Sequence, residues 1–361
     1  MRRIAPSGRA ARHNVGIDLH MKSLEMCVVD DLGQEERRAR LPLTSDEAVK
    51  TALRTLLRWS SGGRFAVEAV GMNRWLVEAL QERGCEVVVV DPLKLGLKAL
   101  GKKTDRRDAY EIARRLALGD IDRNARTYYP TLLEYTGRKV PRTRQRLVNM
   151  RQQLVNQIRA LFRAYHIPVK PARLQTPYAL RWLSIQKLPS EGLTMSLRAL
   201  VHSLAAVQRS IDALDAEIRQ LAKAPEVALL VESLPSIADK SALMLLRELG
   251  DVSRFCDSRC LASYAGLAPR VNQSADRAHH GSITHRGSRM LRTVLVQWAV
   301  RLLARNETAK AWAAPRLKRA HKNKVRVALA RRLLVGLYHM LKTNEPFDLE
   351  RCLNMQRALN R

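Results

Sequence analysis

The spacing of apolar residues changes repeatedly between positions 15 and 90, and the order of those changes confines the chain to one class of fold. Runs at 15–19, 24–29 and 38–43 are short, apolar or alternating, and bounded by turn residues, as strands of a meander are. Thr44-Ser45-Asp46-Glu47 then signals a helix start, and Val49, Leu53, Leu56 and Leu57 recur at helical spacing. A strand at 65–70, a helix at 74–81 ended by Gly84, and a strand at 86–90 stopped by Asp91-Pro92 follow. Three strands, helix, strand, helix, strand, with further helix at 105–118, predict an α/β domain that starts antiparallel and continues parallel.

Four carboxylates in that region are hard to explain by packing. Asp18 interrupts the apolar run Val15-Gly16-Ile17-Asp18-Leu19-His20, and an acid in a half-buried strand costs free energy unless it is paired or holds a cation. Glu68 stands in Phe65-Ala66-Val67-Glu68-Ala69-Val70, and Asp105 and Asp108, three apart, share one face of a helix. Acids from the first strand, the fourth strand and a helix converge at one end of such a sheet. Hard oxygen ligands of this kind suit Mg²⁺ or Mn²⁺, and two such ions about 4 Å apart can activate an attacking oxygen and stabilise a leaving one. Taken alone, Asp105 and Asp108 would be expected to pair with Arg106, Arg107 or Arg114 on a solvated helix. His20 points to the same side of the strand as Asp18, as a contact to the site or as a structural histidine.

The rest of the chain is strongly basic. Lys and Arg number 64 against 34 Asp and Glu, a formal net charge of +30 that favours nucleic acid over small acidic substrates. No acid lies between Glu134 and Glu191, against twelve Lys or Arg, and Glu307 is the only acid between Asp276 and Glu345, against sixteen. Such stretches are expected to line surfaces that meet phosphate backbones. The odd, scattered cysteines (Cys27, Cys85, Cys256, Cys260, Cys352) argue for reduced thiols in the cytoplasm. Cys256 and Cys260 with His279 and His280 match no compact zinc module. No apolar run has the length of a membrane span, and no signal peptide is expected.

Beyond the first domain, 142–165 reads as a basic helix, and Pro168, Pro171 and Pro177 mark a connection. Leu193, Leu197, Leu200, Leu204, Val207, Ile211, Leu214, Ile218 and Leu221 form an a/d seam expected to meet a second helix, within the chain or in another subunit. The five tryptophans are too dispersed for a stacking platform. A late amphipathic helix at 318–341 is expected to turn Lys322, Lys324 and Arg326 to phosphate.

The strand order with its Asp, Glu, Asp, Asp set resembles the ribonuclease H superfamily, specifically a RuvC-like nuclease domain. The second half is similar to the serine-bearing carboxy-terminal domain of the "one-ten" family of bacterial insertion-sequence transposases. That likeness rests on Leu261-Ala262-Ser263-Tyr264-Ala265-Gly266-Leu267-Ala268-Pro269-Arg270, Gln273-Ser274-Ala275-Asp276, and Gly281-Ser282-Ile283-Thr284-His285-Arg286-Gly287-Ser288-Arg289-Met290-Leu291-Arg292. Ala275, His285 and Ser288 depart from the family's usual Gly, Lys and Asn. Leu234-Pro235-Ser236-Ile237-Ala238-Asp239-Lys240 resembles its helix-hairpin-helix phosphate clamp, with Ser236 and Ala238 in place of two glycines.

The resemblance implies that Ser274 is the nucleophile of a transposase that recombines double-stranded donor and target DNA through a phosphoserine link, guided by a structured noncoding RNA from its own element. Arg270, Arg277, Arg286, Arg289 and Arg292 would stabilise charge developing on phosphorus. Asp18, Glu68, Asp105 and Asp108 would hold the metal, the two sets forming one composite site within or between subunits. The expected organisation is a basic flexible N-terminus at 1–13, a RuvC-like domain at 14–140, a basic helix and coiled-coil connector at 141–225, a mostly α serine-bearing domain at 226–345 and a tail at 346–361. A homo-oligomer, dimer or tetramer, through 193–221 and a cytoplasmic, nucleoid-associated location complete the expectation. The alternatives are a RuvC-type junction endonuclease that uses water, and a non-enzymatic nucleic-acid-binding relative.

Overall fold

The computed structural model describes residues 13–60, 63–96, 105–121, 125–274, 277–283 and 287–354, with backbone alone for Ser60 and 269–282. The expected flexible segment 1–13 lies outside these residues except for His13, as does 355–361 of the expected tail. The chain divides into two compact units, Met1–Tyr129 and Pro130–Arg361.

In the first unit, strands β1 (Asn14–Leu19), β2 (Ser23–Val29), β3 (Glu35–Pro42), β4 (Arg64–Glu68) and β5 (Glu86–Val90) form one sheet in the order β3-β2-β1-β4-β5. β1 pairs antiparallel with β2, and β2 with β3, whereas β1–β4 and β4–β5 are parallel. Helices α1 (Asp46–Ser60), α2 (Arg74–Gln81) and α3 (Asp105–Ala117) complete it, in the expected order and sense. The central strand β1 is buried throughout because both its faces are covered. Val15, Ile17 and Leu19 pack with Ala52 and Leu56 of α1 and Leu76 and Leu80 of α2. On the opposite face Cys27 and Val29 pack with Ala109 and Ala113 of α3.

Gly16 sets how closely α3 can lie. A Cβ there would stand 2.1 Å from the Ala109 carbonyl oxygen and 2.5 Å from the Ala113 nitrogen, so only glycine lets the helix backbone rest on the strand. Ala66 of β4 packs on the same side, in a cluster with Ile112 and Leu116 of α3.

The second unit is mostly helical: α4 (Leu132–Ala164), α5 (Pro177–Ser184), α6 (Glu191–Leu221), α7 (Pro225–Ser233), α8 (Asp239–Leu249), α9 (Ser258–Tyr264), α10 (Arg289–Arg305), α11 (Glu307–Leu317), α12 (Lys322–Thr343) and α13 (Leu349–Asn354). Its strands β6 (Pro269–Ser274) and β7 (Arg277–Ile283) form an antiparallel hairpin. α4 begins well before the expected residue 142, at a capping box in which Thr131 N donates to Glu134 Oε2 (2.9 Å) and Glu134 N to Thr131 Oγ1 (3.2 Å).

The seam read on α6 meets a helix of its own chain. Leu197, Val201 and Leu204 are buried with Val155, Ile158 and Phe162 of α4, and Ile218 joins the core under α7 and α8. Arg144 of α4 adds a two-pronged pair to Asp215 of α6 (2.9 and 2.8 Å), and Arg151 donates to Gln208 (2.9 Å). The second helix expected to meet the seam is thus found within the chain, while Leu193, Leu200, Val207, Leu214 and Leu221 of the seam stay half-buried. The largest core gathers Leu243 and Leu245 of α8, Leu295 and Trp298 of α10, and Leu329 and Leu333 of α12. Trp298 Nε1 donates to the Pro235 carbonyl (2.8 Å), tying α10 to the turn between α7 and α8. No helix among the described residues is long and apolar enough to cross a membrane.

Candidate active site

Side chains of β1 alternate, so Asp18 falls on the α3 face two residues beyond Gly16. On α3, Asp105 lies one turn before Ala109, the residue that touches Gly16. The close approach at Gly16 thus carries the helix's first carboxylate to the strand's. His20 stands between them, its Nε2 3.4 Å from Asp18 Oδ2 and 3.2 Å from Asp105 Oδ2. One ligand atom from each of the three lies within 4.8 Å of the other two.

Asp18 is only 2% exposed, and its Oδ2 is a buried atom with no hydrogen-bond partner. A buried carboxylate oxygen that accepts no hydrogen bond and faces a second carboxylate is costly, and a divalent cation between them would remove the cost. The donor set, two carboxylates and an imidazole, fits Mg²⁺ or Mn²⁺, with the imidazole leaning toward the latter. Glu68 ends β4 next past the Ile17–Val67 pair, abreast of Asp18 and on the α3 side, as the Gly16–Ala66 pair shows. Asp108, one turn along α3 from Asp105, is buried. Neither Glu68 nor Asp108 belongs to the compact set of three among the described residues, and both have other interactions.

Sequence reasoning passed over Glu25. It pairs across the ladder with Asp18, is 4% exposed, and has Arg40 Nε at 3.6 Å. The signal was present: Glu25 interrupts an apolar strand just as Asp18 does. Of the two roles open to His20, contact to the site or structural histidine, its place beside both acids fits the first.

In the second unit, Ser274 closes β6 and pairs with Arg277, which opens β7, so both backbones stand at the tip of the hairpin. β6 runs up to the serine itself. The side chains of Arg270, Ser274 and Arg277 are not described, and Ala275, Asp276 and Arg286 lie outside the described residues. Arg289 opens α10, whose N-cap Ser288 accepts from Leu291 N (3.1 Å). Arg292 donates to the Ala265 carbonyl (3.2 Å), and burial together with the Arg289 charge lowers its guanidinium from the usual range. α12 begins at Lys322, behind the cap residue His321, rather than at 318. Lys322 and Lys324 are exposed in its first turns, and Arg326 is half-buried.

Ser236, where the resembling clamp has glycine, adopts φ +59° in the left-handed region between α7 and α8. The turn keeps a conformation that suits glycine although the residue is serine. Cys256 and Cys260 bring their sulfurs to 2.7 Å beside Asp257 at the surface, and the hydrogen bond shared with Cys256, then burial, pushes the Cys260 thiol up to about 11. The side chains of His279 and His280 are not described, so the four-residue zinc idea lies outside the described residues.

Clustered carboxylates on a sheet and a helical unit rich in Lys and Arg suit an enzyme that acts on nucleic acid. Residues 15–167 match the family model of IS110-type DEDD transposases, and residues 228–314 match the model described as transposase IS116/IS110/IS902 family. The chain is 25% identical over 342 residues to the transposase for insertion sequence element IS1111A of Coxiella burnetii, covering 92% of this chain and 90% of that one. It is 30% identical over 292 residues to a putative transposase, y4rJ, of Sinorhizobium fredii, covering 73% of each. Over 146 residues, 38% of this chain and 45% of the other, it is 37% identical to the pilin gene-inverting protein of Moraxella bovis. The chain belongs to the IS116/IS110/IS902 family of insertion-sequence transposases.

Proposed function

We propose that this transposase cuts and rejoins double-stranded DNA through a covalent link on Ser274, with a metal centre on a RuvC-like first unit serving the same phosphodiester. The observation that carries the reading is the buried Asp18 Oδ2, which accepts no hydrogen bond, facing Asp105 with His20 beside both. Asp18 and Asp105 would hold the ion, with Glu68 and Asp108 completing its surroundings. The chemistry a divalent ion would supply there is polarisation of a phosphate oxygen and stabilisation of a leaving oxyanion.

Ser274 gives up its hydroxyl proton, its Oγ bonds to phosphorus, and the bond from phosphorus to one sugar oxygen breaks. That oxygen takes a proton, and rejoining reverses the step with a different strand end. Arg270, Arg277, Arg286, Arg289 and Arg292 would bind the phosphate's oxygens and offset the charge that grows on them. Lys322, Lys324 and Arg326 would hold DNA backbone farther along. The second partner is a structured noncoding RNA of the element, a reading supported by the family likeness and by a basic charge large enough for two nucleic acids. The reading includes assembly into a dimer or tetramer through 193–221, where half of the α6 seam stays partly open to solvent.

The test is to incubate the protein with duplex carrying the element's ends and Mg²⁺, denature in detergent, and look for DNA that stays attached. Adduct is expected with wild type and Ser282→Ala and not with Ser274→Ala. Cleavage by wild type without any adduct would instead identify a metal-dependent endonuclease that uses water. No cleavage in any metal would identify a binding protein.

A further inference from the structure

A cleft of about 530 Å³ opens in the second unit between α4 and the start of α10. One wall is a single face of α4, where Arg142, Gln145, Arg146 and Asn149 fall at helical spacing. The other is the turn that begins α10, with Ser288 and Arg289. None of the residues lining the cleft is acidic.

The two walls are fixed to each other by Glu248 of α8, which is 1% exposed. Arg142 grips its carboxylate with Nε and Nη2 (2.7 and 2.6 Å), and Ser288 Oγ donates to Oε2 (2.8 Å). That carboxylate neutralises Arg142. Arg146 and Arg289, both exposed, have no carboxylate partner among the described residues, so the cleft keeps two uncompensated guanidinium groups beside two side-chain amides.

The cleft also lies at the root of the hairpin that carries Ser274. Ser288 N donates to the Tyr264 carbonyl (2.9 Å), and a Cβ on Gly287 would stand 2.1 Å from that same oxygen. The segment that enters β6 and the segment that leaves β7 are therefore clamped together at the cleft's edge.

We propose that this cleft seats the phosphodiester backbone of a DNA strand, Arg146 and Arg289 pairing with phosphate and Gln145 and Asn149 donating to phosphate or sugar oxygens. Guanidinium and amide donors on rigid helices are what backbone positioning requires, and they carry no sequence information. The choice of DNA over RNA rests on the reading of Ser274 as the residue that attacks DNA. Glu248 and Arg142 are positioning residues that hold the walls apart at a fixed width.

The test is fluorescence anisotropy of a short labelled DNA duplex, and of an RNA duplex of the same sequence, against KCl concentration. Arg146→Gln and Arg289→Gln are compared with wild type and with Arg209→Gln, which removes an equal charge from an exposed site on α6. Each cleft variant is expected to weaken DNA binding about fivefold near physiological salt and to lower the salt slope by about 0.9, with the double variant losing about twice that slope. Unchanged circular dichroism melting separates this from unfolding. An unchanged slope in both cleft variants, or an equal fall in Arg209→Gln, overturns the site. A larger loss for RNA than for DNA overturns the choice of ligand. Since binding is read without any adduct, failure of the Ser274 reading leaves this result interpretable, and the reverse holds.

Discussion

Replacing Gly16 by alanine adds one methyl group at the tightest contact of the first unit. The new Cβ would stand 2.1 Å from Ala109 O and 2.5 Å from Ala113 N, both backbone atoms that cannot rotate away, whereas ordinary contact begins near 3.4 Å. Helix α3 must then back off by about 1 Å, and such overpacking costs about 1–3 kcal/mol. Loss of glycine's freedom in the unfolded chain returns about 0.4–1 kcal/mol, so a net destabilisation of roughly 1–2 kcal/mol is expected. The larger effect is on the site. Asp105 rides on the same helix one turn away, and a shift of about 1 Å in a positioned group can cost about 100-fold in rate. Urea unfolding should record the small loss of stability, Mn²⁺ binding by electron paramagnetic resonance a weakened site, and strand cleavage the large loss. A Gly16→Ala protein with wild-type Mn²⁺ affinity and cleavage would refute the claim that this contact positions Asp105.

Asp18→Asn removes one of three acids, with Glu25 and Asp105, that crowd the α3 face; cleavage should be abolished and RNA binding kept, while melting in chelator should hold steady or rise. Loss of RNA affinity as well would mean that the carboxylate supports the fold. Arg142→Leu should lower stability by about 1–3 kcal/mol in urea titration, because buried Glu248 would keep the Ser288 hydrogen bond but lose the guanidinium that faces it. Ser236→Gly should raise stability by about 1 kcal/mol by relieving the left-handed serine, and Ser236→Val should lower it. Burial pushes Asp215 upward, but the Arg144 hydrogen bond and the Lys240 charge leave it below its usual 3.8. A depressed acid stabilises above its unfolded value and loses that contribution as pH falls through the folded one. Wild type should therefore show a loss of stability below about pH 4 that is smaller in Asp215→Asn.

The first unit was legible because its strands and helices follow local periodicity. The expected helix at 74–81 and strand at 86–90 match the observed bounds, and the antiparallel-then-parallel order follows from which runs are joined by turns and which by helices. Asp18 was legible for a physical reason, an acid in an apolar strand. Glu25 carried the same signal and was passed over. The closeness of His20 to Asp105 was not legible, since it depends on how deeply α3 sinks onto Gly16, a contact made across the fold. The seam on α6 announced a partner helix without saying which, and α4 supplied it from the same chain. The polar, glycine-bearing stretch around Ser274 gave too weak an alternation to announce the β6–β7 hairpin.

The central claim, that a divalent ion and Ser274 act on one phosphate, is tested most directly by replacing a nonbridging oxygen of the scissile phosphate with sulfur and measuring covalent adduct in Mg²⁺ and in Mn²⁺. Magnesium binds sulfur poorly and manganese tolerates it. The account predicts little adduct in Mg²⁺ and recovery in Mn²⁺, with both absent in Asp18→Asn. Equal adduct in the two metals, or adduct that survives loss of Asp18, would contradict it.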